Sequence, residues 1–195
     1  MSELALVLAS TSRYRAELLA RIGVPFTAAA PSCDEEALKQ HSAEPVELAR
    51  YLAQQKAASV ARVRPDAYVL GGDQLVAIGG EILGKPHTPE HALAQLQRLR
   101  GNEHQLITAI CLIAPDGSLR SHIDTHTLSM RKLSDDALRR YVRADQPLDC
   151  AGSYKIEARG ITLFERLEGE DFTAIPGLPL IMLCTWLEAC GFEVP

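Results

Sequence analysis

The chain begins with an uninterrupted apolar run, LALVLA at residues 4–9, which stops at Ser10-Thr11-Ser12 and passes directly into RYRAELLARIG. A run this short cannot make a helix of ordinary length, so it predicts a strand bounded by a polar turn. In the segment that follows, Leu18, Leu19 and Ile22 share one face of a helix and Gly23 supplies a stop. Strand, polar turn and helix in that order open an α/β unit, which limits the rest of the chain more than any bulk property does.

The remaining pattern continues this mixture. A second helix is expected over residues 42–63, with Pro45 in its first turn and Pro65 beyond its end. Residues 67–78 read as a strand, and Gly79-Gly80 suits a tight hairpin into residues 81–83. Thr88-Pro89-Glu90 caps a third helix striped by Leu93, Leu96 and Leu99 and ended by Gly101. Strands are expected over residues 106–113 and 122–130, around the turn Pro115-Asp116-Gly117, then a helix over residues 134–142. A strand over residues 161–167 and a last helix after Gly177-Leu178-Pro179 complete the reading. The fold class is therefore α/β, with a mixed sheet flanked by helices and two lobes around a cleft. No repeat or linker divides residues 1–195, so one domain is expected.

Charge limits the partners. Against 25 Asp and Glu there are 20 Lys and Arg, a net charge of −5, so no global basic field draws in nucleic acid. A phosphorylated ligand would need a local basic pocket. The amino terminus has no basic segment ahead of its apolar run, and no stretch approaches the roughly 20 apolar residues of a membrane span. Five cysteines without CxxC spacing point to reduced thiols in the cytoplasm rather than a disulfide frame.

Four constellations could carry chemistry. Ser10-Thr11-Ser12-Arg13-Tyr14-Arg15 lies at a strand-to-helix junction, where unpaired backbone N–H groups, hydroxyls and guanidiniums suit phosphate. The same residues also suit a capped helix with solvent-facing arginines. Gly71-Gly72-Asp73-Gln74 puts a carboxylate directly after two strand glycines, which often mark a close backbone approach. Asp73 there is a candidate metal ligand or general base, and Lys85 beyond the hairpin could neutralise a phosphate; an exposed strand-end acid and a hairpin lysine are the alternative. Lys56 falls on the apolar stripe of the second helix, either snorkelling to its edge or aimed into an anion site. Asp34-Glu35-Glu36 is a solvated acidic loop or part of a Mg²⁺ or Mn²⁺ site. The histidines have no characteristic zinc spacing, the Walker glycines are missing, and no GxSxG elbow is present.

Together these segments resemble the Maf family of nucleotide pyrophosphatases. LASTSRYRAELL is similar to its amino-terminal signature, CDEE to its acidic motif, and LAQQKA to the segment bearing its helix lysine. GGDQLVAIGGEILGKP resembles its central hairpin, and AGSYKIEARGITLFERLEG followed by GLPL resembles its carboxyl-terminal block. The matches occur in the family's order from Leu4 to Leu180. The resemblance implies a Maf/ITPase-like fold with an elongated twisted sheet, a homodimer, and hydrolysis of a nucleoside triphosphate to the monophosphate and pyrophosphate. It implies Asp73 as catalytic base, and Ser10, Ser12, Arg15, Lys56 and Lys85 as phosphate-binding residues. It further implies Glu35 and Asp73 as contacts of a divalent cation (Mg²⁺, Mn²⁺ or Co²⁺). Arg13 stands where the family often has proline, which loosens the expected turn.

Tyr14, Gln74 and Glu157 resemble the branch acting on 7-methyl-GTP rather than the one favouring dTTP and UTP, which usually has Arg, Thr and Gln there. The chemistry agrees. A carboxylate accepts hydrogen bonds from guanine N1–H and its exocyclic amine, and a cationic methylated base gains from an aromatic face and an anion. A dTTP/UTP-preferring pyrophosphatase, a phosphatase releasing orthophosphate, and a non-catalytic nucleotide-binding regulator of cell division are the alternatives.

Overall fold

The protein is described from a computed structural model over residues 4–194. In chain order the elements are β1 (Leu6–Ala9), α1 (Arg13–Arg21), β2 (Thr27–Ala29), α2 (Glu35–Leu38), α3 (Pro45–Ala61), β3 (Tyr68–Ile78) and β4 (Glu81–Leu83). There follow α4 (Pro89–Leu99), β5 (Glu103–Ile113), β6 (Leu119–Met130), α5 (Asp135–Asp145), β7 (Phe164–Glu168) and α6 (Leu180–Ala189). The seven strands form one mixed sheet of order β2-β1-β3-β5-β6-β7, with β4 paired to β3. The expected mixed α/β class is thus the observed one. The chain divides into two compact units, one containing residues up to Asp73, Thr108–Asp124 and the chain from Asp171 onward, the other containing Gln74–Ile107 and Thr125–Glu170.

In the first unit, β1 runs parallel to both β2 and β3 and all of its residues are buried. That is the setting in which a strand reads as a continuous apolar run rather than an alternating one. Leu6 and Leu8 point to one face, joining Leu18 and Leu19 of α1 and Leu183 and Leu187 of α6 in a single core cluster. Each such side chain contributes about 1.5–3 kcal/mol through burial. Helix α3 packs against β1. It spans Pro45–Ala61 rather than residues 42–63, because the Glu44 carboxylate caps it at Pro45 by accepting from the Val46 and Glu47 N–H groups. Ser12 caps α1, and Gly23 ends it at φ 72°. Arg13 occupies the first helical position, the position proline favours, so the turn survives the departure from the family pattern.

The second unit begins with the hairpin of β3 and β4, turned by Gly79 at φ 58° and Gly80 at φ 82°. Positive φ at both central residues is what a type I′ hairpin requires. Thr88 caps α4 by accepting from the His91 N–H, and Ser134 caps α5 likewise from Ala137. The two helices pack together, and Arg100 reaches Asp135 at 2.6 Å.

Two expectations change. Residues 161–167 are not one strand: a 3-10 turn occupies Arg159–Leu163 and β7 starts at Phe164. The cause is the Gly160 N–H, which donates to the Lys155 carbonyl and curls the chain, in a spot where a Cβ would lie 2.3 Å from that oxygen. Strand β5 starts at Glu103 rather than 106, and β6 starts at Leu119 rather than 122, directly after a turn in which Asp116 accepts from the Ser118 N–H. The short β2 and the single turn α2 had no periodic signal to announce them.

Candidate active site

Strand register sets the site. Ala9 at the end of β1 is aligned with Gly71 of β3, so β3 continues past the end of β1 and carries Asp73 beyond it. Ser10 begins the turn at the same level. Its backbone N–H donates to the Leu8 carbonyl, and its hydroxyl accepts from the Ser12 N–H at 3.1 Å.

The two glycines before Asp73 are the reason α1 and α3 can come so close. A Cβ on Gly71 would sit 2.4 Å from the Ala53 carbonyl oxygen and 2.7 Å from the Ala57 nitrogen, both in α3. A Cβ on Gly72 would sit 3.3 Å from Arg15 Nε. The close backbone approach expected from this glycine pair is therefore present, and the partner is the helix that bears Lys56.

Lys56 does not snorkel. It is 6% exposed, its Nζ donates to Asp73 Oδ1 at 2.6 Å, and Glu35 Oε1 lies 3.1 Å from the same nitrogen. Asp73 is buried to the same degree, whereas Glu35 is exposed. The segment carrying Glu35 is tied to α3 through Ser59, whose hydroxyl accepts from the Ser32 N–H and donates to the Lys56 carbonyl. Ser59 had no sequence signal beyond its place three residues after Lys56. Of the other two acids in the run, Asp34 caps α2 and Glu36 pairs with Lys39. Only Glu35 reaches Lys56.

Arg15 closes the cluster. Its Nε donates to the Gly177 carbonyl at 3.0 Å, and its Nη1 donates to Ser10 Oγ at 3.5 Å. Burial pulls the guanidinium below its ordinary value while Asp73 and Glu35 act in the opposite sense, and arginine remains charged throughout. Gly177 belongs to the GLPL segment, so this bond explains a carboxyl-terminal motif to which sequence reading assigned no role. The segment is held by Asp171, whose carboxylate accepts from the Thr173 and Ile181 N–H groups, and by the Thr173 hydroxyl, which accepts from the Leu180 N–H. Beside Glu35, the Cys33 thiol is pushed up by burial and then by the Glu35 charge.

The first unit thus brings together Ser10, Ser12, Arg15, Glu35, Lys56 and Asp73. Tyr14 lies on α1, with the Arg13 guanidinium 5.2 Å from its ring centre. Gln74, Lys85 and Glu157 belong to the second unit. Gln74 is half-buried on β3, Glu157 is exposed ahead of the 3-10 turn, and Lys85 is exposed beside a cavity of about 460 Å³ that His87 and His91 also line. Among the described residues, no group of three or more His, Cys, Asp and Glu side chains could hold a metal. Glu35 and Asp73 do converge on a single cation, the Lys56 ammonium. Two carboxylates with room left for phosphate oxygens and water are a donor set that Mg²⁺ accepts, so the residues fit such an ion.

The buried Lys56–Asp73 pair lies just past the end of parallel strand β1, where α/β sheets bind their ligands. Residues 5–190 match the family described as Maf-like protein, and the chain belongs to that family. It is 50% identical over 188 residues to the 7-methyl-GTP pyrophosphatase of Bdellovibrio bacteriovorus, covering 96% of this chain and 98% of that one. It is 44% identical over 193 residues to the enzyme of the same name from Pseudomonas putida, covering 98% and 100%. The Ham1 protein of Staphylococcus aureus shares the fold at 14% identity, with a TM-score of 0.51 over 95% of this chain and 98% of that one. A HAM1 protein from Coxiella burnetii does so at 15% identity and TM-score 0.51, over 96% and 100%. The protein is a hydrolase of the pyrophosphatase class, as the sequence resemblance implied. Among the described residues no helix is long and apolar enough to cross a membrane.

Proposed function

We propose that this protein hydrolyses 7-methyl-GTP between its α and β phosphates, releasing the nucleoside monophosphate and pyrophosphate with the help of a divalent cation. The observation that carries the reading is the buried Lys56, shared by Asp73 and Glu35 beside Ser10 and Arg15. The names of the relatives supply the substrate, and Tyr14, Gln74 and Glu157 are the residues expected to express the base preference.

Asp73 orients the attacking water. In the free protein its Oδ1 is engaged by Lys56, and in the nucleotide complex the carboxylate is the group that accepts the water's proton. Arg15 and Lys56 bind phosphate oxygens as charge-assisted donors, with the Ser10 and Ser12 hydroxyls adding neutral ones. Lys85 is a further phosphate residue by the same resemblance. A divalent cation, held by Glu35 and Asp73, would supply charge neutralisation at the phosphate oxygens. Positioning and electrostatics provide most of the acceleration, because phosphoryl transfer needs little covalent help.

Turnover of 7-methyl-GTP, GTP, UTP, dTTP, CTP and ITP with identification of products tests this. Preferential cleavage of 7-methyl-GTP to pyrophosphate is expected. Preference for UTP or dTTP would remove the base assignment, release of orthophosphate would make the protein a phosphatase, and binding without turnover would make it a regulator. Asp73→Asn is expected to lose turnover and keep nucleotide binding; near wild-type rates would remove Asp73 as the base.

A further inference from the structure

We infer that Lys56 stands in for the divalent cation between Glu35 and Asp73, so that this protein takes up its metal only together with the triphosphate. The inference rests on the metal-assisted reading given above and adds the order of events at that site.

Four observations carry it. Nζ of Lys56 lies 2.6 Å from Asp73 Oδ1 and 3.1 Å from Glu35 Oε1, so both proposed metal ligands already share a cation. Lys56 and Asp73 are each 6% exposed, and a buried carboxylate without a counter-charge is costly, so the ammonium is required whenever no other cation is there. Among the described residues no third carboxylate, His or Cys completes a cluster, which leaves a bare ion with too few protein oxygens. Finally, two carboxylates with Lys56 carry a net charge of −1, against −2 without it, and an ammonium touching the same oxygens repels an incoming cation.

A triphosphate changes each of these terms. It brings oxygens that complete the ion's coordination, and it offers the ammonium a new anionic partner. The lysine stem is flexible enough to turn from carboxylate to phosphate without moving α3. The metal then replaces Lys56 at the carboxylates, and Lys56 is handed to the substrate. Nucleotide and metal should therefore bind with strong positive coupling, and the free protein should bind metal weakly.

The test measures Mn²⁺ binding by electron paramagnetic resonance on the full chain, with and without an α,β-methylene analogue of 7-methyl-GTP, after subtracting the Mn²⁺–analogue complex formed without protein. Wild type is expected to bind Mn²⁺ at least about tenfold more tightly with the analogue than without it. Lys56→Met, without analogue, is expected to bind Mn²⁺ about tenfold more tightly than wild type, and adding Glu35→Gln should cancel the gain. Equal wild-type affinities with and without analogue overturn the inference, as does a folded Lys56→Met protein that binds Mn²⁺ no better than wild type. If Lys56→Met does not fold, the wild-type titration decides alone. Turnover of 7-methyl-GTP on the same preparation separates the two levels. Pyrophosphate release alongside equal affinities sinks the inference and leaves the function, whereas no release and no Mn²⁺ binding in any condition sinks both.

Discussion

The two units bury ionisable groups in opposite ways. In the first, Lys56 and Asp73 are buried as an ion pair, with Glu35 as a second acceptor from the solvent side. In the second, His104 is buried against Tyr154, with its Nε2 3.1 Å from the phenol oxygen and its ring beside Phe164. Among the described residues no charged partner accompanies it in that aromatic cluster, and burial lowers its pKa to about 4. One interior keeps its charges as a lysine shared by two carboxylates. The other keeps its titratable group neutral and uses it for packing. Buried ion pairs are weak sources of stability but severe liabilities when halved, whereas a buried neutral histidine makes itself known only through pH.

The comparison can be broken most forcefully at Lys56. Lys56→Ala strands a buried carboxylate and should cost about 3–5 kcal/mol, read from urea denaturation, with turnover lost as well. A cost below 1 kcal/mol would mean that Asp73 is solvated or protonated once the lysine is gone. In the second unit, the expected signature is a pH dependence of stability. Between about pH 6.5 and 4 the unfolded chain takes a proton on His104 that the folded protein refuses, so stability falls as pH falls through that window. The loss approaches about 3 kcal/mol near pH 4 and does not grow below it. His104→Phe should flatten that part of the curve, measured by denaturation at each pH; an unchanged slope would assign it to other groups.

Smaller effects sharpen the contrast between backbone approach and open turn. Gly71→Ala drives a Cβ into the α3 backbone and should destabilise by about 1–3 kcal/mol, while lowering turnover by displacing Lys56 from Asp73. Gly84, near the β4 hairpin of the second unit, has nothing within 4 Å of an added Cβ. Gly84→Ala should change the melting midpoint little, within about 0.5 kcal/mol of wild type. Similar losses for both variants would show that the close approach at Gly71 is relaxed in solution.

Much of the architecture was readable from the residues, and for local reasons. Ser12, Thr88 and Ser134 announced helix starts, Gly79-Gly80 announced a hairpin, and the apolar run of β1 announced a strand buried within the sheet. These signals depend on neighbours in sequence. The misreading of residues 161–167 has the opposite character, since the 3-10 turn there follows from the Gly160 bond to Lys155, which apolar patterning does not encode. The site was readable as a set of residue types, because Gly71-Gly72-Asp73 is an unusual interruption of a strand. Its assembly was not. The Lys56 alternatives, snorkelling or facing an anion site, are equally compatible with one helical stripe.

By itself, then, the sequence determined the α/β class, most of its elements, the net negative charge, and the family to which the motifs belong. Only the tertiary structure decided which acid of Asp34-Glu35-Glu36 meets Lys56, that Gly177 anchors Arg15, and that Lys56 is shared by two carboxylates. The reason is physical. Caps, turns and apolar periodicity act within a few residues, while the partners of a buried charge are chosen by strand register and by the helix-to-strand distance that Gly71 permits.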